Sequence, residues 1–179
     1  MSEQRLNYMK LAPEGIAAMR ALEHYLNSAT GLEASLLELV RLRASLRNGC
    51  EYCIGKHTYE LKKTHHEPEG RVDSVAEWRG SSAYTQRERA ALAWTEAVTD
   101  VQGGHVSDAV YAEARAHFEE KELVDLTLAI ASINAWNRLG IAFRAEWKEP
   151  GAASGEERSA GRSPIGDDGG KVAVDEEAG

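Results

Sequence analysis

Apolar residues in the first 150 positions recur at steps of three and four, the spacing of a helix face, and nothing alternates like a strand over a useful length. The first such stretch begins at Pro13, which suits the first turn of a helix, and it ends before Gly31. Thr85 and Glu88 have the spacing of a capping box, which marks another helix start. Further helices are predicted over about 33–47, 50–65, 72–78, 85–98, 107–118 and 121–147. We therefore expect an all-α bundle of about six to seven helices.

The composition of the chain indicates which classes of binding partner to exclude and which cell compartment to expect. The chain carries 21 basic and 29 acidic residues, and this net charge of −8 argues against nucleic acid or an anionic membrane as the main partner. The N-terminus has no apolar signal region, and no run approaches transmembrane length, so a cytoplasmic protein is expected. In that reducing compartment a pair of cysteines is more typical of a redox or catalytic role than of a structural disulfide.

The segment from 151 to 179 has a different composition. It contains seven glycines, seven acidic and three basic residues, and no aromatic residue. Such a segment buries too little apolar surface to offset the entropy cost of ordering it. We therefore predict one domain over 1–150 and a disordered, solubilising acidic tail over 151–179 that contributes half of the net charge.

The only two cysteines of the chain, Cys50 and Cys53, lie three positions apart, and His57 follows one helical turn later. On a helix these three residues share one face. Asn48 and Gly49 interrupt the preceding pattern, so Cys50 is expected to open a new helix, whose free N–H groups favour negative charge. A helix start and a nearby imidazole both lower the pKa of a cysteine, and the thiolate is the nucleophile. The motif therefore indicates a redox pair with its own base.

Two other interpretations of the same residues are weaker. The cysteines could be small buried hydrophobes without a chemical role. A closed zinc site needs four ligands, whereas the motif offers three, with His65 and His66 two turns or more along the same helix. A metal site is therefore disfavoured, and we predict neither a metal nor another cofactor.

Polar residues inside two apolar helices form a second group of interest. Glu38 is flanked by leucines, where a buried carboxylate needs a partner, or else it lies on a polar edge marked by Arg41 and Arg43. Asn134 and Asn137 occupy the middle of the last helix, where asparagine is unfavourable, so they are expected to bond to another helix or subunit. The four tryptophans are assigned to the core or to a subunit interface.

Glu38, Cys50, Cys53 and His57 together have the spacing E-x11-C-x2-C-x3-H, which resembles the active-site motif of the AhpD-like alkyl hydroperoxidases of the carboxymuconolactone decarboxylase superfamily. The resemblance covers roughly residues 15–147, including the Asn-x-x-Asn-Arg of the last helix. It implies an all-α fold assembled as a trimer or hexamer. It also implies antioxidant reduction of organic hydroperoxides, or thiol–disulfide exchange, by the cysteine pair. The decarboxylase branch generally lacks that pair and is disfavoured.

The resemblance also implies a role for each residue. Cys53 attacks the hydroperoxide, and Cys50, nearer the helix start and solvent, resolves the sulfenic acid and meets the electron donor. That donor is expected to be a dihydrolipoyl or thioredoxin-like dithiol. His57 takes part in deprotonating Cys53, and Glu38 anchors the relay.

One departure from the family pattern concerns Tyr52, which stands where many of these proteins have a histidine. A phenol has a pKa of about 10 and does not shuttle protons readily near neutral pH. Turnover is therefore expected to be slower, or to depend more on the Glu38–His57 relay. Unchanged turnover in a Tyr52→His variant would contradict this expectation.

Two rival hypotheses use the same sequence. A non-enzymatic redox sensor would oxidise once and stop, whereas an enzyme consumes peroxide catalytically. A structural helical oligomer with an inert cysteine pair would react slowly with alkylating reagents, with a thiol pKa near the free value of about 8.5.

Overall fold

The computed structural model describes residues 3–151, and within that range the regular structure is entirely helical, so the all-α prediction is confirmed. The α-helices are α1 (Tyr8–Leu11), α2 (Pro13–Ser28), α3 (Ala34–Asn48), α4 (Glu51–Tyr59), α5 (Glu69–Asp73), α6 (Gln86–Thr99), α7 (Asp108–His117) and α8 (Glu120–Phe143). A π-helical turn, Glu60–Thr64, continues α4, and two 3-10 segments, Ser74–Gly80 and Val101–Gly103, follow α5 and α6. The predicted tail, apart from its first residue, lies outside the described residues and stays a prediction.

Local signals set most of the helix starts. Pro13 occupies the first turn of α2, and Thr85 and Glu88 form the predicted capping box at the start of α6. Gly49 ends α3 with a φ of +69°, a left-handed conformation that glycine adopts without steric cost. The chain can therefore turn there, and Cys50 becomes the N-cap residue of α4 as predicted.

The structure differs from the predicted helices at three places. The helix predicted over 72–78 is the short α5 followed by the 3-10 segment Ser74–Gly80. The four-residue helix α1 was not expected, because a single turn is too short to show a period. The last helix ends at Phe143 rather than near Trp147, because Arg144 adopts a left-handed φ of 53°. The residues that follow, 144–148, form a strap that places Trp147 against α4 at Gly55.

Helix α3 is the central element, with its main contacts to α4, α6 and α8. All ten residues from Leu36 to Ser45 are buried, so this stretch of the helix has no polar edge facing water. Glu38, Arg41 and Arg43 are only 7%, 4% and 7% exposed, so of the two alternatives for Glu38 the structure supports burial with a partner, and the polar edge is wrong. Each arginine instead forms an ion pair with a carboxylate inside the bundle.

Helix α8 is fixed to the end of α3 by amide hydrogen bonds. Asn48 Nδ2 donates to Asn134 Oδ1 at 2.9 Å and to Asn137 Oδ1 at 2.8 Å. Asn137 Nδ2 in turn donates to Ser45 Oγ at 3.1 Å. The prediction that these asparagines bond to another helix is confirmed, and the contact brings α8 against the start of α4. None of the helices in the described part of the chain is long and apolar enough to cross a membrane.

Candidate active site

The two cysteines lie in contact at the start of α4. Their Sγ atoms are 2.8 Å apart, both thiols are free, and the side chains are buried, with Cys50 1% and Cys53 4% exposed. The expectation that Cys50 lies nearer to solvent is therefore wrong, because α8 covers it. Gly140 lets α8 lie this close to Cys50, since a Cβ at position 140 would lie 2.9 Å from Cys50 Sγ.

The contact between the two thiols separates their acidities. The hydrogen bond between the sulfurs lowers the pKa of Cys50 to about 7, and the same bond together with burial raises the pKa of Cys53. The pair therefore loses one proton near neutral pH and retains the second. Because the sulfurs are in contact, the remaining proton can pass between them and leave the thiolate on either one.

His57 and Glu38 form a buried pair one helical turn beyond Cys53. His57 Nδ1 lies 2.7 Å from Glu38 Oε2, and the histidine side chain is 5% exposed. Arg41 Nη1 donates to the other carboxylate oxygen, Glu38 Oε1, at 2.6 Å. Both oxygens of Glu38 thus have a donor, which is what a carboxylate requires away from water.

The charges in this pair follow from its surroundings. Burial by itself would raise the pKa of Glu38, but the hydrogen bond from His57 and the charges of His57 and Arg41 lower it to about 2. Burial lowers the pKa of His57 despite its hydrogen bond to Glu38, so the imidazole is neutral near pH 7. A neutral imidazole attracts the carboxylate less, but the Arg41 guanidinium still holds it ionised. Glu38 therefore accepts the Nδ1–H, and Nε2 is left as the basic nitrogen.

The network continues beyond the residues found by sequence reasoning. Arg41 Nη2 donates to Glu23 Oε2 at 2.8 Å and to Asn27 Oδ1 at 2.9 Å, both on α2. Glu23 Oε1 accepts from Ser132 Oγ of α8 at 2.5 Å. Arg41 stands three positions after Glu38, and that spacing within an apolar helix was the signal that could have identified the ion pair.

A cavity of about 520 Å³ opens at Cys53. Glu38, His57 and Cys53 line it, whereas Cys50 does not. Tyr8 from α1 and His65 also line it, and neither was among the predicted site residues. Burial, followed by the charge of Tyr52, raises the pKa of Tyr8 to about 12, so this phenol stays protonated and can donate a hydrogen bond into the cavity.

Cys50 lines a different groove, of about 750 Å³, between the start of α4, the end of α8 and the strap. Tyr52 lines both spaces, and its ring meets that of Trp147 edge-on with centroids 5.7 Å apart. The two cysteines therefore line different spaces, Cys53 the cavity and Cys50 the groove. Among residues 3–151 no group of three or more His, Cys, Asp or Glu side chains is arranged to hold a metal ion.

Comparison with known proteins identifies the family of this chain. Residues 13–97 match the model of the carboxymuconolactone decarboxylase family. An uncharacterised protein of Bacillus subtilis (strain 168), YdfG, is 37% identical over 140 residues, which span 78% of this chain and 94% of YdfG.

Solved structures share the fold. A protein of unknown function from Agrobacterium tumefaciens, described as a candidate antioxidant defence protein AhpD, has 39% identity and a TM-score of 0.78 over 82% of this chain and 99% of its own. The debrominase Bmp8 has 22% identity and a TM-score of 0.70 over 79% of this chain and 75% of its own, a likeness of fold alone. The identity and coverage of the Bacillus and Agrobacterium relatives, with the family match, show that this chain is an AhpD-like member of the carboxymuconolactone decarboxylase family.

Proposed function

We propose that this protein reduces organic hydroperoxides with the Cys50–Cys53 pair and so serves antioxidant defence. One observation carries the proposal: Cys53 lines a cavity beside a buried histidine–carboxylate pair, and a second thiol lies 2.8 Å from its sulfur. Membership of an AhpD-like family and the description of the Agrobacterium relative support it.

The first step oxidises Cys53. His57 accepts the Cys53 proton at Nε2, because its Nδ1–H is donated to Glu38. The thiolate attacks the distal peroxide oxygen, the O–O bond breaks, and the sulfur becomes a sulfenic acid. The leaving alkoxide takes the proton back from His57 and departs as an alcohol. Glu38 remains ionised throughout and fixes the orientation of the imidazole.

The second step forms the disulfide and then reduces it. The Cys50 thiol attacks the sulfenic sulfur of Cys53, an S–S bond forms, and water leaves. A thiolate of an external dithiol then attacks Cys50 and releases Cys53, and the second donor thiol releases Cys50 with transfer of two electrons. The donor is a dihydrolipoyl or thioredoxin-like dithiol, and the groove at Cys50 gives it a route separate from the peroxide cavity.

Tyr52 fits this scheme as a hydrogen-bond donor rather than a proton carrier. Burial raises its pKa above the ordinary value, so the phenol stays protonated through the neutral range. Proton transfer therefore depends on His57 and Glu38. Assembly as a trimer or hexamer remains a prediction, which sedimentation velocity of the purified protein tests.

The test is a thiol titration before and after one equivalent of cumene hydroperoxide, on the wild type, Cys53→Ser and Cys50→Ser. We expect the wild type to lose two thiols, Cys50→Ser to lose one as a trappable sulfenic acid, and Cys53→Ser to lose none. Repeated turnover with a dithiol identifies an enzyme, whereas a single oxidation without turnover identifies the sensor. Thiols that stay free in all three proteins would overturn the proposal and leave thiol–disulfide exchange or an inert pair.

A further inference from the structure

We propose that the cavity at Cys53 selects hydroperoxides that carry a carboxylate on an apolar body, such as fatty-acid hydroperoxides; this rests on the hydroperoxide activity proposed above. The volume, about 520 Å³, is that of a site for a small organic molecule. The apolar part of the cavity wall comes from Tyr8, Met9, Ile133 and Trp136. An alkyl chain or aryl ring can therefore replace water along this wall when the peroxide reaches Cys53.

Two cations also line the cavity, Arg20 from α2 and Lys56 from α4. Within residues 3–151 no carboxylate lies in ion-pair distance of either one, and the hydrogen bond of Arg20 goes to Met9 Sδ at 3.8 Å. Arg20 is exposed, whereas Lys56 is partly buried between Cys53 and His57 on α4. The cations therefore line the same cavity as Cys53 without an anionic partner from the described chain.

Three carboxylates share the cavity lining, and their partners decide whether they oppose an incoming anion. Glu38 accepts from Arg41 and His57, and Glu23 accepts from Arg41 and Ser132. These two acids share the Arg41 guanidinium and have one further donor each.

Glu60 is the third of these carboxylates. It lies one turn after Lys56 without forming an ion pair with it, and accepts a hydrogen bond from Thr64 Oγ1 at 2.8 Å. The lining holds three cations and three carboxylates, but Arg41 is already paired with Glu23 and Glu38. Arg20 and Lys56 are therefore the lining cations without an ion pair in the described part of the chain, and a substrate carboxylate supplies the acceptor that they lack.

The experiment compares a hydroperoxide of dodecanoic acid with its methyl ester, which lacks the carboxylate charge and adds one methyl group. We expect the wild type to prefer the acid by about tenfold in kcat/KM, through KM, and to lose this preference as salt screens the charges. Arg20→Gln and Lys56→Gln should each lower the acid-to-ester ratio severalfold, and Glu60→Gln should raise it. Lys63→Gln is the matched control, because Lys63 is exposed and lies outside the cavity lining, so its ratio should stay at the wild-type value.

Equal use of acid and ester by the wild type, or a ratio that falls as much in Lys63→Gln as in Lys56→Gln, would overturn this inference and leave the hydroperoxidase intact. Titration calorimetry of dodecanoate binding tests the anion preference of the cavity separately from the hydroperoxidase activity. If no hydroperoxide oxidises the thiols but dodecanoate binds and Arg20→Gln weakens it, the anion site stands while the peroxidase function fails. If dodecanoate does not bind and the ester reacts as well as the acid, the cavity has no preference for anions.

Discussion

Glu38 shows how a charged residue can be kept inside an apolar helix. Its two oxygens receive hydrogen bonds from Arg41 at 2.6 Å and from His57 at 2.7 Å, so neither is left without a donor. Arg41 also forms an ion pair with Glu23, so its guanidinium contacts two carboxylates. Removing one member of such a buried pair costs more than the pair contributes, because the remaining charge has lost its partner.

Replacing Glu38 by glutamine is therefore expected to affect both stability and rate. The amide removes the charge that faces Arg41 and fails to orient the His57 Nδ1–H. We expect the free energy of unfolding to fall by about 3 kcal/mol, measured by urea denaturation. The rate of Cys53 oxidation by cumene hydroperoxide should fall by roughly 100-fold, the lower end for general acid–base catalysis. Glu33→Gln is the control, because that side chain is 57% exposed and lies outside the cavity lining; equal losses in both variants would contradict this role.

Gly140 has a role that only its spatial neighbours reveal. An added Cβ would lie 2.9 Å from Cys50 Sγ, so Gly140→Ala is expected to displace that sulfur from Cys53. Disulfide formation should slow at least tenfold, and the Cys53 sulfenic acid should persist long enough to be trapped and weighed by mass spectrometry. The crowding should also cost about 1–3 kcal/mol of stability.

Gly15→Ala supplies the comparison for this substitution. Gly15 is also helical and has no atom within 4 Å of the added Cβ, so alanine there should stabilise the protein by roughly 0.5–1 kcal/mol. A Gly140→Ala protein that is stabilised to the same extent and closes its disulfide at the wild-type rate would show that the sulfur has room to move.

At the scale of whole elements, predictability depended on how local the determining contacts are. The start of α6 could be predicted because Thr85 and Glu88 satisfy each other's backbone groups within one turn. The start of α4 at Cys50 followed from Gly49 in the same way. The end of α8 could not be predicted, because Arg144 carries no glycine signal and its turn is accompanied by the packing of Trp147 on Gly55, ninety-two positions earlier in the chain.

The residues of the candidate site were likewise predictable only where the contacts that place them are local. The spacing of Cys50, Cys53 and His57 on one helix was enough to place them together, because the pattern is local. Glu38 could be assigned only through a resemblance, since the residues alone allowed either burial or a polar edge. No sequence pattern marked Glu23 as part of the site, because Glu23 contacts Arg41 from a different helix. The packing of α2 against α3, which brings these two residues together, could not be predicted from the sequence pattern.

The strap after α8 is expected to control access to Cys50 and not to Cys53. Trp147 and Cys50 line the same groove, whereas Cys53 lines the other cavity. In a Cys53→Ser background, Trp147→Ala should raise the rate of Cys50 alkylation by a bulky maleimide at least threefold. In a Cys50→Ser background the same substitution should leave the alkylation rate of Cys53 unchanged. Equal increases at both cysteines would mean that the strap stabilises the whole site rather than covering one sulfur.

For the molecule as a whole, α3 joins the chemistry to the core. The same helix supplies Glu38 to the site, packs against α6 and α8, and holds Ser45 and Asn48 against α8. Ion pairs that link α3 to other helices, such as Arg43 with Glu96 at 2.6 Å, add to this connection. Buried charge is therefore part of what keeps the bundle together, and the stability of the fold should depend on pH.

The direction of this dependence follows from two groups. Glu38 has a pKa of about 2 in the folded protein against an ordinary value of 4.5, and burial lowers the pKa of His57 below 6.5. Between these limits the unfolded chain binds more protons than the folded one, so the free energy of unfolding falls as pH falls. The Glu38 contribution is fully present above about pH 5 and is lost toward pH 2, a loss of about 3 kcal/mol.

Urea denaturation at pH 7, 5.5, 4 and 3 measures this loss. Glu38→Gln should be less stable than the wild type at pH 7, because it lacks the buried carboxylate, and the difference should shrink as the pH approaches 3. Glu96, whose pKa is also lowered by its hydrogen bonds to Arg79 and Trp78 against the effect of burial, remains in both proteins, so its share of the acid sensitivity cancels in the comparison. A difference that stays constant from pH 7 to pH 3 would show that Glu38 is not the group whose protonation weakens the fold. In that case the ion pairs between helices, and not the site, carry the acid sensitivity of the molecule.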